Sequence, residues 1–521
     1  MRNIFEFLLK KLALLALIGG LAILSSAQTT YVDHTNNKCD RADGTQGRPY
    51  RLAADGLSKA REGGQLEIRT GVYNELLTIS KKVTIASSGG PARIGLVGSR
   101  KVCQLLGEDD REVCGRNTKS QTRTNYQLNG ADLGVPVGYK GRIYFLFGDT
   151  ASANSEDGKQ PYNPSLPRSK DSDSIAWVPD SESPEECLKL RFLKEGQNPG
   201  NEESPGKYRS PRVVIGTSGL YVSLGTLEVP TGAFSVKDAA GREKMYAFFT
   251  TSHLTDAYEM GQSFLARLED EEDSLFSLVS YLSCRPNVCP DGVGKFINVS
   301  PVVVNNASLS IKPDVAAPGG RGVLLWGSGA FRKSDVYLAY FPLDDRSQPD
   351  LGQLRYWNKD QGWVANESEA TELFKQPQPQ TCKQEKAPFR EFCGIGELSV
   401  TWNPFLNKWL MLYNHGKPEG INYRVADNPW GPWEDRGLLF DPYVDGGFCH
   451  FIHEPGCDTV RDYDAREDDR GEVYGPYVIP QFTKSDATTT TIYWTMSTWN
   501  PYQVVLMKSA LRLSDAQRVD R

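Results

Sequence analysis

Three acidic residues stand where apolar, strand-like runs meet turn-forming residues, a placement suited to proton-transfer chemistry. Asp149 follows the apolar run Ile143–Phe147 and Gly148 in GRIYFLFGDT, residues 141–150. The run is short and hardly alternates, so it reads as a strand buried on both faces. Gly148 lets the backbone turn or approach another chain closely. A carboxylate at the end of such a strand is held rigidly where the core meets solvent. Asp132, in GADLG, lies just before this run. Two strand-end carboxylates on adjacent strands could face one cavity. Glu397, in CGIGELSVTWN, is set among apolar residues. Desolvation there would raise its pKa, which suits a proton donor near neutral pH. The plain alternatives are turn aspartates bonding their own backbone and, for Glu397, a strand-edge charge paired with an arginine.

Other residues could grip a ligand. Arg332, in GSGAFRKS, and Arg424, in NYRVA, could orient a carboxylate or hold a hydroxyl, with structural ion pairing as the competing role. Trp326, Trp402, Trp433 and Trp499 could stack on a sugar face, although most tryptophans of an all-β protein are core. His450 and His453, in CHFIHEPGC, have metal-like spacing, but only Glu454 lies nearby as an oxygen ligand. No metal site is expected without a third firm ligand. Nucleophile-elbow, P-loop and His-Glu-x-x-His motifs are absent from the sequence.

The elements that must position these groups form an internal repeat. An apolar run ending in a small or polar group recurs as YFLFGDT (144–150), YAFFTTSH (246–253), VLLWGSG (323–329), WLMLYNHG (409–416) and IYWTMSTW (492–499). Each precedes a second apolar run: 174–177, 264–268, 336–341, 421–426 and 504–507. Strand, polar tip, loop and strand make a hairpin. Five such hairpins with flanking strands predict a five-bladed β-propeller. Equivalent strand ends would then converge, bringing Asp149, His253, Ser328, Asn414 and Ser497 to one face.

Composition bounds the rest. The chain has 521 residues, a formal net charge of −6 and 39% hydrophobic residues, enough for a globular core. The mild acidity and lack of Lys/Arg blocks argue against nucleic-acid binding. Residues 1–27 read as a signal peptide: Arg2, Lys10 and Lys11, an apolar run over 12–24, then Ser25-Ser26-Ala27. A secreted or extracytoplasmic protein follows, with no stable membrane insertion after cleavage. Ten cysteines in an exported chain predict disulfides. Local pairs would be Cys103 with Cys114, Cys284 with Cys289, Cys382 with Cys393, and Cys449 with Cys457, leaving Cys39 and Cys187 for a longer link. Asn298, Asn306 and Asn366 sit in glycosylation sequons. The predicted division is 1–27 signal, 28–100 N-terminal segment and 101–521 propeller. Within the second, a short helix over 53–60 and strands over 65–68, 77–79 and 83–86 are expected. Their order resembles the opening coil of right-handed parallel β-helix proteins, and it stops near Gly95.

The motifs FLFGDT, VPTGAF, LLWGSGAFRKSDVYLAYF, GELSVTWNPFLNKWLMLYN, INYRVADNPWGPW and STWNPYQVVLMKS occur in this order. Together they resemble a propeller family long labelled only as a domain of unknown function, over roughly 125–511. Some members are endo-D-arabinanases. The resemblance implies a glycoside hydrolase whose active-site carboxylates correspond to Asp132 and Asp149. Glu397 is added by analogy with the acidic triads of other arabinan-cutting propellers. His253, Trp326, Ser328, Arg332, Asn414, Arg424 and Trp499 are the expected substrate-binding residues. Such chemistry requires no cofactor, with a structural Ca2+ left open, and the expected partner is a polysaccharide. A non-catalytic carbohydrate- or protein-binding propeller is the rival reading, but paired carboxylates favour hydrolysis. A lyase, suggested by residues 28–100, suffers from having only one β-helical coil.

Overall fold

The computed structural model describes residues 28–34, 36, 42–73, 77, 79–94, 99–110, 117–152, 173–194, 207–218, 220–222, 229–251, 260–329, 332, 334–376, 394–415, 419–448, 450–455 and 470–512. The expected signal peptide and His253 lie outside them. The chain divides into two compact units, Met1–Gly95 and Leu96–Arg521.

In the first unit, β1 (Thr29–Val32), β2 (Gln65–Tyr73) and β3 (Thr84–Ile94) lie side by side in parallel. Parallel neighbours need a crossover, and the helix Ala53–Lys59 supplies one between β1 and β2. Its Ala53 and Leu57 pack with Val32, Leu66, Ile68 and Tyr73 into a small core. Leu77 and Ile79, expected within a strand, lie outside β2 and β3.

The second unit holds five sheets that follow one another around a ring. After β4 (Ser99–Gln104), the first blade is β5 (Leu128–Tyr139), β6 (Arg142–Ser152), β7 (Ser174–Pro179) and β8 (Arg191–Phe192). The second blade runs β10 (Pro230–Lys237), β11 (Glu243–Thr251), β12 (Gln262–Asp270) and β13 (Leu275–Cys284), with β9 (Arg212–Val214) added in parallel. The third contains β14 (Asn298–Asn305), β15 (Arg321–Ser328), β16 (Val336–Pro342), β17 (Arg355–Asn358) and β18 (Gly362–Val364). The fourth contains β19 (Ile395–Asn403), β20 (Lys408–His415), β21 (Gly420–Ala426) and β22 (Glu434–Phe440). The fifth is β23 (Glu472–Val478), β25 (Thr489–Trp499) and β26 (Gln503–Arg512), with β24 (Lys484–Ser485) on β25. Its outer strand is β4, which pairs antiparallel with β26. The innermost strands β5, β10, β14, β19 and β23 pack each on the next, and β23 returns to β5. This is a five-bladed propeller closed by a strand that precedes the first blade.

The five repeated runs are the second strands of the blades, not the innermost ones. Their unbroken apolar character has a direct cause: each is covered on both faces by neighbouring blades. Ile143, Phe145 and Phe147 of β6 pack towards Tyr493 and Leu506 of the fifth blade, while Tyr144 and Leu146 pack towards Met245 and Ala247 of the second. In β15, Val323 and Leu325 face the second blade, and Leu324 and Trp326 face the fourth. Each such side chain contributes about 1.5–3 kcal/mol when fully buried. The partner strands of all five predicted hairpins are present as β7, β12, β16, β21 and β26.

Asn298 and Asn306, the acceptor residues of two sequons, are buried at 1% exposure, so this packing leaves no room for a glycan on either. Cys284 pairs locally with Cys289, as expected. Cys103 does not pair with Cys114, nor Cys187 with Cys39: Cys103 on β4 is bonded to Cys187, 84 residues away. Blade closure brings β4 beside the 3-10 turn Pro184–Glu186, which sequence proximity cannot reveal. The pairings expected at Cys382–Cys393 and Cys449–Cys457 fall outside the described residues. No helix among the described residues is long and apolar enough to cross a membrane. Chain-entropy loss in the unfolded state amounts to about 4.5 kcal/mol for an 84-residue loop and about 2 kcal/mol for a five-residue one. Removing Cys103 and Cys187 together should therefore lower the denaturation midpoint more than removing Cys284 and Cys289. Equal losses in paired melting curves would contradict this.

Candidate active site

Antiparallel blades place the start of each innermost strand and the end of each second strand on one rim. Asp132 lies opposite Gly148, Asn298 opposite Ser328, and Glu472 opposite Trp499. Neither Asp132 nor Asp149 is a turn residue, nor does Asp149 end its strand. Both lie within their strands at a slip in the β5–β6 register: Asp132 pairs with Gly148, and Asp149 falls in the unpaired step between the Gly130–Ala151 and Asp132–Gly148 pairs. Bulges of this kind re-aim side chains. Leu133 and Gly134, at φ of 63° and 72°, supply the left-handed backbone just after Asp132. Serine Oγ of Ser497 accepts the Leu133 N–H at 2.7 Å, and Thr495 donates to the Gly134 carbonyl at 3.0 Å. The fifth blade thus fixes the bulge of the first.

Asp132 is buried, and its Oδ2 accepts a hydrogen bond from the Tyr474 hydroxyl at 3.1 Å. Its Oδ1 lies against Gly148, where a Cβ would come within 2.7 Å of it and 2.6 Å of Val229 Cγ1. Asp149, the next residue, is half-buried at φ 41°. Aspartate is among the few side chains that tolerate this region. Its N–H donates to Asp173 Oδ1 at 3.2 Å, and its carbonyl accepts from Tyr502 at 3.1 Å.

Glu397 is the third residue of β19, inside a register slip, and Glu472 is the first residue of β23, opposite Trp499. Both approach one guanidinium, that of Arg332 in the β15–β16 loop: Nη1 donates to Glu472 at 3.2 Å, and Nε lies 3.8 Å from Glu397 Oε2. Arg332 also faces the Tyr474 ring at 5.0 Å. Its stem packs on Gly396, where a Cβ would lie 3.0 Å from Arg332 Cγ and 2.5 Å from the Asn414 amide nitrogen. Glu397 is buried at 4% exposure, whereas the Glu472 side chain is 31% exposed at the mouth. Burial, opposed by Arg332 and assisted by Glu397, raises the Glu472 carboxyl above its ordinary range. The Tyr474 and Tyr477 hydroxyls are pushed well above theirs by burial and by the charges of Asp132 and Glu397. They remain protonated and can donate hydrogen bonds. Two carboxylates share a cation here, and a third is tied to the same tyrosine. Such a ring can hold one group charged and keep a proton on another.

The expected binding residues divide. Arg332, Asn414, Ser328 and Trp499 lie on this rim, although Ser328 is fully buried and spends its hydroxyl on the Gly396 carbonyl. Trp499 is half-buried against the cluster containing Leu133, Tyr474 and Tyr502. Trp326 has no exposed surface; it packs on Trp409 and donates to the Pro429 carbonyl, so it is core. Trp433 shares that core, and Trp402 lies at the end of β19 remote from Glu397. Arg424 is a structural ion pair: it binds Asp435, Tyr413, Gln376 and the Trp433 carbonyl. Among the described residues no group of three or more His, Cys, Asp or Glu could hold a metal. Glu472, Tyr474 and Tyr477 escape the sequence reading. A signal was present: Gly471-Glu472-Val473 repeats the pattern of Gly396-Glu397-Leu398 at the head of an innermost strand.

Residues 287–508 match the family described as a domain of unknown function, DUF4185. The match begins just after β13, the last strand of the second blade, and runs through the third and fourth blades into β26 of the fifth; the segments carrying Asp132 and Asp149 lie before it. No curated protein matches the chain in sequence. Among solved structures, the chain is similar to an exo-beta-1,3-galactanase from Phanerochaete chrysosporium at 6% identity, covering 80% of this chain and 65% of that one, with a TM-score of 0.36. It is similar to the catalytic domain of a Coprinopsis cinerea GH62 alpha-L-arabinofuranosidase at 11% identity, covering 79% and 96%, with a TM-score of 0.35. An endo-arabinase from Bacteroides thetaiotaomicron gives 10% identity, 75% and 96% coverage and a TM-score of 0.32. The chain spans somewhat less than two thirds of the galactanase's length.

Two outcomes follow from the geometry. Gly148→Ala would drive a methyl group into Asp132 and Val229, and overpacking of this kind costs about 1–3 kcal/mol. A thermal melt should show that loss, and an unchanged midpoint would mean that the carboxylate is not held against Gly148. The second concerns pH. The folded Glu472 carboxyl titrates above its ordinary value of 4.5, so the folded state retains a proton that the unfolded chain releases. Stability is therefore lost as pH rises from 4.5 through the folded pKa. Glu472→Gln removes that component, so the variant should gain on wild type across this window; parallel midpoint–pH curves would contradict it.

Proposed function

We propose that this chain is a secreted glycoside hydrolase acting on a furanoside-rich polysaccharide, cutting within D-arabinan chains. The observation that supports the reaction class best is the gathering of Asp132, Glu397 and Glu472 around Tyr474 and Arg332 on one rim. Glycoside cleavage needs one carboxyl to protonate the leaving oxygen and another to attack the anomeric carbon or activate water. In this reading Asp132 and Asp149 are the carboxylate pair at the scissile bond. Tyr474 orients Asp132 through its hydroxyl. Glu397 is the candidate proton donor, and Arg332 balances the charge it shares with Glu472. Asn414 and Trp499 border the sugar. The choice of D-arabinan rests on the motif resemblance, with FLFGDT carrying Asp149 and GADLG carrying Asp132.

Release of reducing ends from arabinan, arabinogalactan and other glycans by the purified protein tests the reading. Asp149→Asn and Asp132→Asn keep side-chain shape and remove charge. The turnover number of each should fall at least ~10²-fold, the scale of general acid–base catalysis, with the circular dichroism spectrum retained. Near-normal turnover by a folded Asp149→Asn variant overturns that residue's role. Binding of arabinan without hydrolysis by the wild type would instead favour a carbohydrate-binding propeller.

A further inference from the structure

The turn that leads from the fourth blade to the fifth carries an exposed aromatic ring that the carboxylate ring does not use. Tyr443 is 59% exposed, more than any other tyrosine, tryptophan or phenylalanine among the described residues. Its backbone is nevertheless firmly built. Asp441 Oδ1 accepts the N–H groups of Tyr443 at 2.9 Å and Val444 at 3.2 Å, and the Pro442 carbonyl accepts those of Gly447 and Phe448. The ring itself is braced: Phe448 lies 4.7 Å away centre to centre, and the Arg470 guanidinium lies 5.2 Å from it. Arg470 is in turn held by ion pairs to Glu419, in the β20–β21 turn, and to Glu454.

The position of this ring matters as much as its exposure. β22 ends on the rim where β19 and β23 begin, because its Phe440 pairs with Ile421 at the start of β21. Arg470 stands two residues before Glu472, and its charge acts on the Glu472 carboxyl. The aromatic platform therefore adjoins the mouth of the carboxylate ring. An apolar ring face flanked by carboxylate acceptors matches a sugar, which presents C–H groups on one face and hydroxyls at its edge. The ring is fixed before a ligand arrives, so little conformational freedom is lost on contact.

We propose that Tyr443, braced by Arg470 and Phe448, is a binding subsite for a sugar unit of the polysaccharide remote from the bond being cut. Glu419 and Glu454 stand beside it as acceptors for sugar hydroxyls. The inference rests on the furanoside reading above, and makes long chains better ligands than short ones.

Calorimetric titration of the full-length protein with arabinan oligosaccharides of increasing length tests it. All samples carry Asp149→Asn to stop turnover, a change that the left-handed backbone there accommodates. Tyr443→Ala should weaken binding of the longer oligosaccharides by about tenfold and flatten the gain of affinity with length, the scale of losing one aromatic contact. Tyr443→Phe keeps the ring and should bind as the parent does. Equal affinity of the Tyr443→Ala protein and its parent for every length overturns the subsite alone. A parent that binds no furanoside oligosaccharide overturns the substrate reading, and the subsite with it. A parent that binds a protein through this turn, and no sugar, does the same.

Discussion

The structure depends on closure of the ring. Each blade buries its faces only against its neighbours, so the fifth blade must be held against the first. Here β4, which precedes the first blade, pairs with β26 and supplies the outer strand of the fifth. The join is reinforced from within. Lys101 on β4 forms a buried ion pair with Asp110, whose second oxygen accepts the Gln104 N–H, and Cys103 is bonded to Cys187. Burying a charge pair is costly unless its remaining groups are satisfied, and the backbone hydrogen bond helps to meet that condition.

The candidate site lies at the seam that closure creates. Tyr474 and Ser497 belong to the fifth blade, yet their partners are Asp132 and the backbone of Leu133 in the first. Blades far apart in sequence become neighbours only when the ring shuts. Without that contact Asp132 would lose its tyrosine donor, and the bulge that presents it would lose its anchor. The fourth blade joins through Arg332 from the third, which spans the gap between Glu397 and Glu472. One cation shared by two carboxylates leaves the ring rich in negative charge. The fold sustains this because rigid inner strands hold the groups in place.

Bulges translate strand register into chemistry. Regular pairing would point alternate residues to the two faces of each blade, towards one neighbouring blade or the other. Register shifts on β5, β19 and β23 break that alternation where Asp132, Glu397 and Tyr474 stand. Part of this is visible beforehand as glycine next to an acid at a strand head. The functional consequence is not, since the direction in which a bulge aims a side chain depends on the strand it opposes.

The sequence alone determined the blade count and the hairpins, because the apolar runs 144–147, 246–249, 323–326, 409–413 and 492–496 are local patterns produced by burial on both faces. It also marked Asp132, Asp149, Glu397 and Arg332 by the glycines and apolar residues around them. Tertiary structure decided the rest. Trp326 and Arg424 have the residue types of ligand-binding groups, but packing between blades turned one into core and the other into an ion pair with Asp435. Cys103 sought a partner 84 residues away because ring closure, rather than chain proximity, sets which cysteines meet. Glu472 became part of the site only when β23 was laid between β19 and β5. Periodicity is written over a few residues, and composition fixes what must be buried. Which buried group faces which is a property of pairings made across the whole ring, and no local stretch contains them.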